Sequence, residues 1–420
     1  MSHLGPGLGL DTVNARRRAP FFHGYAYRLD GAAPILVADF ARGRWARAGA
    51  VAPVSDILAV SGAAKRIVAA DGTIAISPAD APAFTWRSGR PRLLVEGPAT
   101  NLLVRSGEMH LWSVPSPVAL RPARTGAADI APDGSLGAAR LDYPANAVVG
   151  ASSFGYIYAS RVGLSSGTYT FSCWLRGLGG GEMTYLILST ADLSQTYAAP
   201  CMLTTQWQRF SLTFTTPGYG STVYFCIGRD GRDPAQAPPL PAQTLFAWGA
   251  QAEAGAIATS YIPTAASAVA RIADVVQLTP AAAAPLQGAA ASLAWRGRVR
   301  AAEASQPLVG LPSGYALLRG GTTPAELRLD GSSAAALSLG AVLPGEIGAA
   351  IGWDGAGRAG AVNGAAAVSD AAGLDRARTD IFLGGSAGLP AGCALEIDEL
   401  VAWAARGSGA GLAAQARGWL

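Results

Sequence analysis

A ring on a strand face, with a guanidinium, amide or carboxylate nearby, is the smallest arrangement that holds a sugar. The ring covers the apolar side of a pyranose and the polar groups take its hydroxyls. Residues 168–175 alternate so that Tyr169, Phe171, Cys173 and Leu175 share one face and Thr170, Ser172, Trp174 and Arg176 share the other. Trp174 and Arg176 are therefore a first candidate pair. Tyr185, Tyr197 and Trp207 extend the set of rings, and Asp192, Gln195, Arg229 and Asp230 on nearby loops offer a polar rim. The competing reading makes Trp174 and Trp207 sandwich core. Since only one face of a sandwiched sheet is expected to be core, some of these aromatics should be exposed.

Other reactive types form no constellation. Gln251 and Glu253 share a strand face opposite Trp248 and read either as a polar concave wall or as internal hydrogen-bond partners. Asp192 and Glu253 are carboxylates of the kind a glycan-cleaving pair requires, yet nothing in their spacing couples them. His3, His23 and His110 are dispersed, so neither a metal cluster nor a nucleophile–base triad is indicated; His110 with Glu108 reads as a solvated loop pair. Asp398-Glu399 reads as a sheet-end turn rather than weak calcium ligation, because no Asp-rich loop supplies six oxygens. The run Gly179-Gly180-Gly181 lacks the Lys-Ser/Thr that follows a phosphate loop. No catalytic residue, metal or cofactor is expected.

Composition narrows the classes further. The chain has 420 residues, 50% hydrophobic and only 14% charged, with 53 Gly and 27 Pro. That excludes an ordinary disordered chain and predicts frequent turns and few long helices. The net charge of +4 comes from scattered arginines nearly balanced by 28 acids, so nucleic-acid binding is disfavoured. The densest cluster, Arg16-Arg17-Arg18, reads as a solvated or subunit-contact arm, and Lys65 is the one lysine. No stretch reaches the ~20 strongly apolar residues of a membrane span, and no secretory signal opens the chain. Cys173, Cys201, Cys226 and Cys393 show no paired spacing and read as free buried thiols, with a Cys201–Cys226 bridge as the alternative.

The elements that must position these side chains are strands. The fold class expected is all-β and multi-domain: a jelly-roll β-sandwich plus a second β-sandwich, with a β-rich irregular N-terminal region. Residues 1–105 read as short strands and turns with a Gly-Pro arm in front. Residues 106–265 carry the clearest strand grammar, at 168–175, 183–188, 208–215, 222–227 and 244–252. Residues 266–290 turn to Ala, Pro and Ser, with Pro280 and Pro285 as helix breakers, and read as a linker. From 291 to 420 strands resume, punctuated by Asp330-Gly331, Asp354-Gly355 and Asn363-Gly364, and end in a short Ala-rich helix near 410–418.

Several strings carry a resemblance that pattern alone does not supply. The segment 92–103, RLLVEGPATNLL, looks like one common in structural proteins of tailed bacteriophages and gene transfer agents. Trp207-Gln208-Arg209-Phe210, WGAQAEAG at 248–255, TSYIPT at 259–264 and RIAD at 271–274 resemble the same group, over residues 30–275. There such strings frame a jelly roll similar to carbohydrate-binding modules. The 381–385 and 397–403 segments more loosely resemble concanavalin-A-like or laminin-G-like sandwiches of those proteins.

The resemblance implies a virion protein, a head spike or tail fibre subunit that binds host surface polysaccharide for adsorption. Its N-terminal region would attach to other virion proteins, and repeated weak sites would favour a homo-oligomer. It would be made in the cytoplasm and carried on the particle surface. Two other functions stay open at this point: a capsule-degrading depolymerase that carries a binding module, and a purely structural particle protein.

Overall fold

The computed structural model describes residues 27–115, 120–147, 150, 152–233, 236, 239–300, 307–311, 316–320, 326–329, 336–341, 344–373, 379–385 and 394–417. The arm with its arginine cluster, His3, His23, Cys393 and the Asp330-Gly331 turn lie outside the described residues. The chain is all-β apart from short helical turns, in two compact units.

One unit comprises residues 65–76 and 99–271. Nine of its strands are β1 (Ala123–Asp129), β2 (Ala138–Tyr143), β3 (Phe154–Leu164), β4 (Gly167–Gly177), β5 (Met183–Thr190), β6 (Thr196–Met202), β7 (Gln208–Thr216), β8 (Tyr219–Asp230) and β9 (Gln243–Ala254). They form a five-stranded sheet in the order β1-β2-β9-β4-β7 and a four-stranded sheet in the order β3-β8-β5-β6. From β2 onward each connection crosses between sheets, except the β5–β6 hairpin. That is the jelly-roll path, two interleaved Greek keys.

The alternation expected in β4 holds on its inward side, where Tyr169, Phe171, Cys173 and Leu175 are buried against Leu186, Leu188, Phe225 and Ile227 of the other sheet. Its outward side is buried as well. Residues 259–262 cross that face: the Ile262 amide donates to Gln251 Oε1 at 2.7 Å, and the Thr259 amide donates to Glu253 Oε1 at 2.9 Å. Gln251 in turn donates to Glu253 at 2.6 Å, so of the two readings of this pair internal hydrogen bonding is the one observed. Burial nonetheless pushes the Glu253 carboxyl above its usual range.

The strings that carry the resemblance meet here as structural staples. The Asn101 amide donates to the carbonyls of Ala250 and Ile262 at 3.1 and 2.8 Å and accepts from the Leu103 and Ala252 amides at 3.2 and 3.1 Å. Ser106 Oγ and the Tyr261 hydroxyl are 2.7 Å apart, and the Arg271 guanidinium reaches Ser260.

The other unit gathers the described residues of 1–64, 77–98 and 272–420. A ten-stranded sheet runs through its middle strands Ala291–Val299 and Leu395–Trp403, and a seven-stranded sheet includes Leu58–Ser61, Val275–Leu278 and Phe382–Leu383. Leu36, Leu93, Val276, Leu293, Trp295, Leu327, Ile351, Leu383 and Ile397 from both sheets share one core. The short Ala-rich helix is present at Gly409–Gln415, where Leu412 packs with Val37, Val401 and Trp403.

This division differs from the one the sequence suggested. The described residues of 1–105 form no separate region. Leu36–Asp39 pairs with residues 399–402 and Arg90–Val95 with residues 395–397 of the same strand, while residues 65–76 and 99–105 belong to the jelly-roll unit. Residues 266–290 are not a linker. Val269–Arg271 pairs with Ala99–Asn101, and Val275–Leu278 pairs with two strands of the seven-stranded sheet. Pro280 opens a helical turn instead of breaking one, because a missing amide costs nothing at the first helical position; Thr279 caps it through the Ala282 amide at 3.3 Å. Asp398 and Glu399 also stand inside a strand, 0% and 2% exposed, not at a sheet-end turn.

Candidate functional site

The two outward faces of the jelly roll differ. That of the five-stranded sheet is crossed by residues 259–262, whereas that of β3-β8-β5-β6 carries no covering strand among the described residues. Strand β3 reads Phe154-Gly155-Tyr156-Ile157-Tyr158, so alternation sends Ile157 into the core and Phe154, Tyr156 and Tyr158 outward. Strand register then builds rows across the four strands. One row is Tyr156, Gly228, Tyr185 and Pro200; the next is Tyr158, Cys226, Ile187 and Ala198; the third is Ser160, Tyr224, Ser189 and Thr196.

The result is a patch of five rings around small side chains. Phe154 and Tyr156 stack at 5.5 Å between centroids, Tyr156 meets Tyr158 at 6.4 Å, and Tyr158 meets Tyr224 edge-on at 4.8 Å. Phe154, Tyr158, Tyr185 and Tyr224 are half-buried, while Cys226 and Ile187 beneath them are each 1% exposed. Gly228, with φ +150°, keeps the Tyr156 row low: a Cβ there would meet the Gly155 carbonyl and the Tyr156 Cα. Burial pushes the Tyr156 hydroxyl up to about 12, and burial together with Asp233 raises Tyr185. Both therefore stay protonated hydrogen-bonding groups at neutral pH.

One end of the patch is polar. Arg232 lies over the Phe154 ring at 4.2 Å, donates to Asp230 Oδ1 through Nε at 2.7 Å, and approaches the Tyr156 hydroxyl at 3.4 Å. Rings in such an array offer C–H and hydroxyl contacts to a sugar, and Arg232, held by the buried Asp230, places a guanidinium donor beside them.

Of the nine residues singled out in the sequence, Tyr185 and Asp230 stand on this face. Arg176 and Trp207 come together elsewhere. The Arg176 guanidinium sits 4.3 Å from the Phe246 ring and 5.5 Å from Trp207, paired with Asp129, and Trp207 Nε1 donates to the Ile130 carbonyl at 3.0 Å. Trp174 is 7% exposed, edge-on to Trp248 and Tyr261 with Arg209 at 4.2 Å over its ring, so it is packed interior rather than a sugar platform. Tyr197 stacks on Phe214 at 5.3 Å and donates to the Thr215 carbonyl at 3.1 Å.

The rest serve turns and loop ties. Asp192 accepts from the Ser194 amide and hydroxyl at 3.1 and 2.9 Å in the β5–β6 turn, and hydrogen bonds from Thr190 and Ser194 hold its carboxyl below the usual range. Gln195 is exposed in the same turn, its amide donating to Thr190 Oγ1 at 3.1 Å. Arg229 ties the carbonyls of Pro241 and Pro144 at 2.7 and 3.0 Å, and burial lowers its pKa. Asp192 lies in the β5–β6 turn of one sheet and Glu253 in β9 of the other, so they form no carboxylate pair.

Phe154, Tyr156, Tyr158 and Tyr224 escaped the sequence reading. Their signal was aromatic alternation in 154–158, interrupted by Gly155 and set in no assigned strand. Among the described residues no group of three or more His, Cys, Asp or Glu side chains is placed to hold a metal ion, and no helix is long and apolar enough to cross a membrane. Cys173, Cys201 and Cys226 are free and buried. The Cys201–Cys226 alternative fails because Cys201 packs in the sandwich core and Cys226 under the outer rings, with β5 between their strands.

Fold and site together define a jelly-roll β-sandwich with an open aromatic face, joined to a second two-sheet sandwich. No protein-family model matches the chain, and no curated protein matches it. Among solved structures it is similar to a family 4 carbohydrate-binding module, at 20% identity and a TM-score of 0.22 over 28% of this chain and 72% of that one. A family 16 carbohydrate-binding module shares 16% identity at a TM-score of 0.24, over 36% of this chain and 99% of that one. The tripod from the baseplate of bacteriophage Tuc2009 shares 12% identity at a TM-score of 0.24, over 76% of this chain and 99% of that one. Superpositions this loose leave the functional argument to the residues themselves.

Proposed function

We propose that this chain is a non-catalytic surface subunit of a phage-like particle that binds host polysaccharide through the outer face of β3-β8-β5-β6. The observation that carries the binding half is the half-buried patch of Phe154, Tyr158, Tyr185 and Tyr224 around the buried Tyr156, bordered by the Asp230–Arg232 pair. Exposed aromatic patches bordered by polar groups mark binding surfaces. The particle half rests on the strings 92–103, 248–255, 259–264 and 271–274, whose joint role in one tertiary lock makes them a coherent signature. The second sandwich is read as concanavalin-A-like and the assembly as a homo-oligomer, in which repetition strengthens weak sites.

The test is binding of the full chain to host surface glycan, with Tyr158→Ala and Tyr224→Ala as variants. Binding that either variant weakens tenfold or more supports the reading. Absence of glycan binding, with the same face buried between subunits in the particle, would replace it with a purely structural role. Shortening of host capsule by the purified chain would replace it with the depolymerase reading.

A further inference from the structure

We infer that the glycan taken by the outer face of β3-β8-β5-β6 is uncharged along the stretch in contact. This rests on the reading of that face as a glycan site and specifies its ligand class. An acidic polysaccharide is held by guanidinium or ammonium groups free to meet its carboxylates, because a carboxylate leaves water only for a charged or multiply donating partner. The charged groups at this face are distributed otherwise. Arg232 is committed to Asp230 through its Nε and to the Phe154 ring through its plane, so its charge is already answered. Asp233 stands near enough to raise the Tyr185 hydroxyl, and it accepts from Gln236 at 3.0 Å. The cation at this rim is thus one that already has a carboxylate partner.

The two arginines within these four strands point elsewhere. Arg229 alternates to the opposite side of β8 and ties two proline carbonyls. Arg161 falls out of phase with Phe154, Tyr156 and Tyr158 on β3. The rest of the face includes rings, the uncharged Cys226, Ile187, Ala198, Pro200 and Met202, and the hydroxyls of Ser160, Ser189, Thr196 and Thr222. Such a surface matches the C–H faces and hydroxyls of neutral sugars, and among the described residues of this face it offers uronate, sialate or sulfate no cation besides the already paired Arg232. Four strands at a spacing of ~4.8 Å span about 14 Å, room for a short run of sugars rather than a single ring.

The experiment titrates the full chain with two oligosaccharide series of matched length, one neutral and one containing a uronic acid in each repeat, at 50 and 500 mM NaCl. Neutral oligomers should bind at least tenfold more tightly than the acidic ones. Their affinity should change less than twofold with salt, and Tyr158→Ala or Tyr224→Ala should weaken it tenfold or more. Preferential binding of the acidic series that falls tenfold at high salt and is lost in Tyr158→Ala would overturn the inference and leave the glycan site standing. Binding of neither series, or binding indifferent to both variants, would remove the glycan site and the inference with it.

Discussion

Asn101 shows how much one side chain of a recognisable string carries. All four of its hydrogen bonds go to backbone groups, two accepted and two donated, and the residue is 0% exposed. Replacing it by Ala leaves buried donors and acceptors without partners. We expect Asn101→Ala to lower unfolding stability by about 2–4 kcal/mol, since each orphaned buried group costs ~1–3 kcal/mol and local rearrangement recovers part of the loss; urea denaturation measures it. The thiols give a second expectation. Burial pushes Cys173 up beyond the ordinary thiol range, Cys201 up to about 12, and Cys226 well above its usual value. In native protein at pH 8 none of the three should react with a thiol reagent, and all should after denaturation. Rapid labelling of Cys226 in the native state would show that the rings above it open.

The strand Leu395–Trp403 concentrates buried charge in the middle of the ten-stranded sheet. Glu399 faces Asp39 directly across the strand pair, with Arg296 at 3.2 Å from Glu399 and both Arg42 and the Tyr27 hydroxyl on Asp39. Asp398 has Arg92 at 3.0 Å and Arg90 at 3.5 Å, and Glu396 has Arg87 and Arg300. Burial, despite these arginines, pushes Asp398 up to about 6 and Glu399 up to about 7, the latter helped by Asp39. A carboxyl with a raised folded pKa binds its proton more tightly in the fold. Its stabilisation is complete below about pH 4 and is lost as pH rises through 6 to 7. Relative to Glu399→Gln, the native chain should therefore lose on the order of 2 kcal/mol between pH 5 and 8. Parallel denaturation curves for the two proteins across that range would contradict this. Strands of this kind were only partly legible in sequence: 168–175 and 244–252 announce themselves by alternation, whereas Asp398-Glu399 reads as a turn because buried charge imitates a surface.

Sequence boundaries and tertiary units part company because the chain passes between the two units four times, at 64/65, 76/77, 98/99 and 271/272. A contiguous reading cannot show that. It places residues 99–105 and 266–271 outside the jelly roll, although they supply the Ala99–Asn101 and Val269–Arg271 pair and the Asn101 lock. We expect a fragment spanning residues 99–271 to melt at a higher temperature than one spanning 106–265, by circular dichroism at matched concentration. Equal melting temperatures would mean that the lock is dispensable.

The sequence by itself determined the all-β class and the jelly-roll strand grammar. These follow from local alternation, turn residues and composition, which neighbouring residues decide. Tertiary structure alone decided which aromatic side chains face water. Trp174 and Tyr158 obey the same period of two, and both point outward from their sheets; Tyr158 stays half-buried where Trp174 is covered. Trp174 is covered because residues 259–262 return across its face from some 85 positions downstream, which no local pattern encodes. Tyr156, Tyr158 and Tyr224 share a surface because β3 and β8, some 70 residues apart, pair in one register, and a binding face exists only once that pairing is made.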